Sequence, residues 1–411
     1  MTAEETQRLL LRNGTVLDVE SGRYVEADVR CDAGRIVEIG PGLKVGGEVP
    51  VVDLDGATVL PGLIDAHVHL TAATADLAGL TSWSPVYVTA HATRIMAGML
   101  ERGFTTVRDA SGAEYGLAAA QAEGLIRGPR VFFCGRALTQ TGGHGDMRGR
   151  GEQVWDHHPT CAGMDRIADG VDAVRTAARD ELRKGAHHLK VHASGGVASP
   201  TDRIDSTQYS LPELVAVVEE AEAANRYVAA HAYTAKAVSR ALVAGIRTIE
   251  HGNLIDESNV AEFLERDAYL VPTLVTYWAM HRDGIANGLP EASWRKGEQV
   301  LEAGLSALEL AHRGGVRIAF GTDLLGGLHR LQKEEFRIRR EVQQPLDIVR
   351  SATTTAAALL RREGELGVVA VGALADLLVL DGDPLSDITV LTEAKHLRYV
   401  VQGGTVVHRR P

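Results

Sequence analysis

The chain has 411 residues, 45% hydrophobic and 24% charged, a balance that fits a globular protein with room for a barrel and a further domain. A formal net charge of −11 argues against a nucleic-acid binder, which needs a basic face. Three scattered cysteines, Cys31, Cys134 and Cys161, and an acidic start with no long apolar run predict a reducing, cytoplasmic setting without disulfides, signal peptide or membrane span.

Residues 7–60 read as short strands with turns. Asn13-Gly14 follows Leu9, Leu10 and Leu11, and that dipeptide predicts a hairpin. Gly22-Arg23 and Ala33-Gly34 punctuate further strand-like pieces, Ala27–Cys31 and Arg35–Ile39. From Gly62 the pattern alternates strand and helix. Eight strand-like runs end in polar or glycine-rich turns: Val59–Leu70, Thr105–Asp109, Val131–Gly135, His188–His192, Tyr227–His231, Thr248–His251, Tyr269–Thr273 and Arg317–Thr322. Among the intervening helices Ser210–Asn225 is clearest. Ser210 suits the cap, Pro212 the first turn, and Glu213 stands three residues after the cap. Eight such units predict a (β/α)8 TIM barrel.

After about residue 362 strands return in Gly367–Gly372 and Ala375–Leu380, then in a hairpin of Arg398–Val401, Gly403-Gly404 and Thr405–His408. Neither end has enough apolar surface to fold alone, so one composite β-sandwich is expected from both. The expected architecture is α/β: the barrel spans 62–361, and the small sandwich domain is built from the two flanking segments, 1–61 and 362–411.

In such barrels chemistry gathers at the C-terminal ends of the strands. His67 and His69, two residues apart on an extended strand, point to one side. Two neutral imidazoles there suit a zinc-type cation, although a pair of histidines also simply ends many strands. Lys190 stands inside the fourth run, and His231, His251 and Asp323 stand at the ends of three others. A lysine ammonium has no lone pair to give a metal, so Lys190 either pairs with a carboxylate or serves as a carbamate. His144 lies in the glycine-rich loop Gly142–Asp146, where the backbone can turn close to a ligand. Tyr233 shares the parity of His231 and either meets substrate or packs beside the site. His188 and His192 share the parity of Lys190, whereas His187 faces the helix layer. Arg108 and Asp109 are expected to form a structural ion pair. The stretch Trp155–Cys161, with His157 and His158, is a lid or irregular surface. Arg330–Glu341 reads as a solvated helix face.

Taken together the segments Pro61–His69, Gly103–Asp109, Thr141–Asp146, Lys190–Val197, His231–Tyr233, Ile249–Gly252, Gly321–Asp323 and Ala373–Leu377 resemble the metal-dependent amidohydrolase superfamily, in its imidazolonepropionase-like and prolidase-like branch. The resemblance spans nearly the whole chain. It implies two divalent ions, zinc by preference, with His67, His69 and Asp323 on the more buried ion and His231 and His251 on the other. Carboxylated Lys190 and a hydroxide would bridge them, and Asp323 would act as general base and then acid. His144 would contact the substrate carbonyl or carboxylate, and Tyr233 would take the carboxylate. The implied substrates are dipeptides or N-acyl amino acids with a free C-terminal carboxylate, Xaa-Pro first. Alternatives are a carboxypeptidase for C-terminal Arg or Lys, an ochratoxin-type amidase, an imidazolonepropionase-like cyclic amide hydrolase, and a non-catalytic metal-binding scaffold. A homo-oligomer without nucleic-acid or membrane partners is expected.

Overall fold

The computed structural model describes residues 8–44, 46, 49–152 and 163–410. Its described residues fall into two compact units, one drawn from Met1–Asp65, Ala97–Val107 and Phe336–Pro411, the other from Ala66–Met96 and Arg108–Glu335.

The first unit is organised on one eight-stranded sheet built from both chain ends. Thr58–Pro61 is its hinge strand. It pairs parallel to Leu9–Asp18 and antiparallel to Leu377–Leu380, so Val59 stands opposite Val379 and Leu60 opposite Leu378. Leu9, Leu11, Val29, Ile36, Leu377 and Val401 all belong to the buried core that results. The hairpin near the C-terminus is present as Leu397–Gln402 paired with Thr405–Arg409.

Two strand expectations are corrected here. Asn13-Gly14 is not a hairpin turn, because Leu9–Asp18 runs through it as one strand paired to Arg23–Asp32. The register shifts between Leu11 and Gly14, and Asn13 takes φ of 57°, which makes this a β-bulge. The apolar residues on both sides of it, Leu9, Leu11, Val16 and Leu17, are buried, so folding the strand back at Asn13 would sacrifice that packing. Gly367–Gly372 is not a strand either. Gly372 N and Ala373 O bond to the main chain of Ile36, with an isolated bridge between Arg35 and Leu374.

In the second unit seven strands form a parallel sheet in the order Asp165–Ile167, Ala137–Thr139, Leu189–His192, Val228–Thr234, Thr248–Leu254, Tyr269–Val271 and Arg317–Ile318. Leu63–Val68, Phe104–Asp109 and Arg130–Phe133 form a further three-stranded sheet. The backbone N–H of Ala66 donates to Phe320 O at 2.8 Å, joining the strand that carries His67 to the segment after the last strand. The TIM-barrel expectation holds, with two short strands, Ala137–Thr139 and Asp165–Ile167, added to the eight. The helix Leu211–Ala223 starts as its sequence predicts, with Ser210 at the cap, Pro212 in the first turn and a Ser210–Glu213 capping box.

The charged run Arg330–Glu341 is not uniformly solvated. Glu335 and Arg339 have no exposed surface. Glu335 Oε2 accepts the N–H of Val275 at 2.7 Å, near the start of helix Leu274–Asp283, where an unpaired donor favours a carboxylate. Arg339 Nε donates to Gln343 at 2.8 Å. Among the described residues no helix is long and apolar enough to cross a membrane.

The bulge yields a first prediction. A β-branched residue in the left-handed region costs roughly 1–2 kcal/mol, so Asn13→Val should lower the unfolding free energy by that amount and the urea midpoint with it, whereas Asn13→Gly should leave the midpoint nearly unchanged. Equal midpoints for Asn13→Val and the parent chain would contradict a strained bulge.

Candidate metal centre and active site

All six ligand candidates of the sequence lie in the second unit. His67 stands in Leu63–Val68 with His69 just beyond it, Lys190 in Leu189–His192, His231 in Val228–Thr234, and His251 in Thr248–Leu254. Asp323 follows the last strand. The backbone bends sharply at three of these strand ends: His251, Thr273 and Asp323 have φ of 76°, 48° and 52°. Both Thr322 N, at 3.1 Å, and Asp323 N, at 2.8 Å, donate to His67 O, which holds the Asp323 carboxylate beside the two histidines. A Cβ on Gly321 would lie 2.3 Å from Val271 and 2.9 Å from the Cβ of His67, so this approach needs glycine.

The donor atoms of His67, His69 and Asp323 lie within 4.8 Å of one another. His67 Nδ1 donates to Glu250 Oε2 at 2.7 Å, and His69 Nδ1 donates to Ser111 O at 3.0 Å. Each ring has thus given away its Nδ1 hydrogen. The two Nε2 atoms then face Asp323 Oδ1, at 3.4 and 3.0 Å, where a cation taken up between them would meet their lone pairs. Three lone-pair donors converging on one point fit a cation between them, and imidazole with carboxylate is a zinc-type donor set.

A second trio, His144, His192 and His231, also brings its donor atoms within 4.8 Å. His231 Nε2 donates to Gly195 O at 3.0 Å, leaving Nδ1 as its donor. His251 joins neither trio but lies beside both, its ring 5.1 Å from that of His67 and 4.6 Å from that of His231. Its Nδ1 is 2.8 Å from Thr273 Oγ1.

Burial pushes His231 and His251 well below the usual imidazole range, and neighbouring histidines add to this. Burial, with His192 next, pushes His144 down to about 4. These rings are neutral at pH 7 and free to act as donors. The Asp323 carboxyl is held well below the usual range: burial opposes this, but His67 and His69 outweigh it. Burial also lowers the affinity of Lys190 for its proton. Among the described residues the Lys190 side chain has no hydrogen bond and no ion pair within 4.0 Å, while the charges of Glu250 and Asp323 act on it from farther off.

His144 stacks on His231 with ring centroids 4.3 Å apart, and Tyr233 packs edge-on to His231 at 4.7 Å. Tyr277 donates its hydroxyl hydrogen to Tyr233 at 3.0 Å. His192 Nε2 donates to Asp165 Oδ1 at 2.8 Å, while His188 is buried against Tyr227 instead. His187 packs on Phe132 and Phe133 of the strand Arg130–Phe133. The stretch Trp155–Cys161, with His157 and His158, lies outside the described residues.

Arg108 and Asp109 do not pair with each other. Adjacent strand residues point to opposite faces. Arg108 Nη2 donates to both Glu250 oxygens at 2.8 Å. Asp109 accepts the N–H groups of Leu70, Ser111 and Ala113. Burial still lifts its carboxyl to about 6.

Several site residues fall outside the segments singled out in the sequence: Ser111, Asp165, Tyr277, and the Ser199–Asp202 pair. Glu250 lies inside one of those segments, Ile249–Gly252, with no role assigned to it there.

The sequence profile of the amidohydrolase family matches residues 58–407. A solved prolidase complexed with N-methylphosphonate-L-proline is 47% identical, with a TM-score of 0.95 over 98% of this chain and 100% of that one. A Xaa-Pro dipeptidase with methionine in its active site is 30% identical, with a TM-score of 0.87 over 98% of this chain and 100% of that one. Ochratoxinase from Aspergillus niger is 33% identical over 364 residues, 84% of this chain and 75% of that protein. The chain therefore belongs to the amidohydrolase family, hydrolases of amide bonds.

Proposed function

We propose that the chain is a two-metal amidohydrolase that cleaves small amides carrying a free carboxylate beyond the scissile bond, Xaa-Pro dipeptides first. The observation that carries this reading is the convergence of the His67, His69 and Asp323 lone pairs on one point. The 47% identity to a prolidase seen with a proline phosphonate supports the substrate class.

His67, His69 and Asp323 would hold one divalent ion, and His231 and His251 the other. Lys190, buried and unpaired, would stand between them as the carbamate formed from its neutral amine and carbon dioxide with release of one proton. Bound there, such ions acidify a water and polarise a carbonyl. Asp323 turns Oδ1 to the two histidines, so Oδ2 is its atom for taking up a proton and returning it to the leaving nitrogen. Burial keeps the Tyr233 hydroxyl protonated. Because Tyr277 is the donor between them, the Tyr233 hydrogen is left for a substrate carboxylate. The described lining beyond the donors is largely apolar, with Leu77, Val197, Ala198, Met280 and Leu325. No described acidic group other than Asp323 lines it, which favours neutral side chains over Arg or Lys. An ochratoxin-type aryl amide, also a carboxylate-bearing amide, is the second reading, supported by the 33% identity to ochratoxinase.

Protein purified with zinc and bicarbonate should hold about two metals per chain by elemental analysis and release amino acid from Xaa-Pro faster than from Xaa-Arg or Xaa-Lys. Turnover of cyclic amides alone would overturn the reading. Asp323→Asn should lower kcat by roughly 10²–10⁴-fold in the same assay. Glu250→Gln, which weakens the grip on His67 Nδ1, should lower metal affinity roughly 10–100-fold, read by chelator competition; unchanged affinity would remove Glu250 from the support of the site.

A further inference from the structure

The loop after Lys190 contains a buried polar chain that ends on His144. His144 Nδ1 lies 2.9 Å from Ser199 Oγ, and the Ser199 hydroxyl donates to Asp202 Oδ1. Ser199 is 1% exposed and the Asp202 side chain 2%. Asp202 Oδ2 accepts from Gly196 N and from Gln208 Nε2, each at 3.0 Å, and Gln208 Oε1 accepts the N–H of His144 at 2.8 Å. Lys296, from helix Glu291–Arg313, reaches into the same loop. Its Nζ is 3.3 Å from Asp202 Oδ1 and donates to Ser199 O at 2.8 Å and Gly196 O at 3.2 Å.

A hydroxyl has one hydrogen and two lone pairs. Two acceptors compete for the Ser199 hydrogen, the Asp202 carboxylate and, at 3.2 Å, the carbonyl of Gly196. A charged acceptor at the shorter distance wins. Either way the hydrogen is used away from His144, and the face of Oγ toward Nδ1 is a lone pair. Two lone pairs do not share a 2.9 Å contact, so the hydrogen between them belongs to Nδ1. The ring is closely packed: a Cβ on Gly196 would lie 2.1 Å from His144 Cε1, and the ring stacks on that of His231.

We propose that Asp202, acting through Ser199, is a positioning residue that fixes the hydrogen on Nδ1 of His144 and presents Nε2 to the substrate, with Lys296 locking the loop that holds it. The portion of this that concerns substrate rests on reading His144 as a substrate contact.

The test uses the zinc-loaded full chain. Neutron diffraction from deuterium-exchanged crystals should show deuterium on His144 Nδ1. Ser199→Ala should lower kcat/KM for the best Xaa-Pro substrate roughly 10–100-fold, through KM, with metals per chain unchanged, and Ser199→Thr should restore it to within a few-fold. A loosened fold would lower metal content and leave KM alone. A bare Nδ1, or Ser199→Ala with the parent KM, would overturn the assignment. If no substrate in the panel turns over while deuterium sits on Nδ1, the proposed function falls and the tautomer assignment stands.

Discussion

Glu250 has no exposed surface, and three barrel strands meet on its carboxylate. Arg108 donates to both oxygens at 2.8 Å, Thr248 Oγ1 donates at 2.6 Å, and His67 Nδ1 donates at 2.7 Å. The same guanidinium donates through Nε to Ala66 O, the carbonyl just before His67, at 2.5 Å. Taking two charges out of water costs several kcal/mol per ion, and good geometry with every lone pair satisfied is what offsets it. The pair is neutral as a whole, so it orients His67 without adding net charge to the donor site. Removing one partner would strand the other in the interior at a cost of about 3–5 kcal/mol. For that reason the placement of His67 is a property of the barrel interior rather than of its own strand.

The ends of the strands complete the site by breaking strand geometry. In regular extended backbone, Glu250 and His251 would point to opposite faces. His251 instead takes a φ of 76°, so Glu250 serves the interior and His251 faces the rings of His67 and His231. Asp323 and Thr273 are bent in the same sense. A non-glycine residue in that region costs of order 1–3 kcal/mol, and such costs gather where surrounding structure and function require them. Here two backbone bonds to His67 O hold Asp323, and Thr273 Oγ1 meets His251 Nδ1.

Much of this is legible from residue type and parity. The His67–His69 pair, the capped helix after Ser210 and the eight strand runs follow from periods of two and 3.6, and Lys190 stands out as a charge inside an apolar run. What is not legible depends on contacts distant in sequence. Arg108 next to Asp109 reads as a local pair, but its partner lies 142 positions away. Asn13-Gly14 has the chemistry of a tight turn, and only the burial of Leu9, Leu11 and Val16 against partner strands turns it into a bulge. Arg330–Glu341 has the composition of a surface, yet Glu335 is held inside by the N–H of Val275. Ser199 and Asp202 sit in a polar loop stretch that resembles any other until Lys296, some 94 positions on, closes over it.

The histidines of the site share one device. In each of five, one ring nitrogen is tied to an oxygen on the periphery: Nδ1 of His67 to Glu250, of His69 to Ser111 O, and of His144 to Ser199. Nε2 is tied in His231 to Gly195 O and in His192 to Asp165. A tied nitrogen fixes the tautomer and leaves the opposite nitrogen as a lone pair. Burial keeps His231 and His251 neutral, so the rings can crowd within 4.3–5.6 Å of one another without the repulsion that imidazolium ions would bring. For a cation this is an attractive pocket, because its donors are oriented before it arrives. It also explains why the periphery matters as much as the ligands. Exchanging one outer oxygen for a carbon changes no donor atom, yet it frees a ring to turn and to choose the other tautomer.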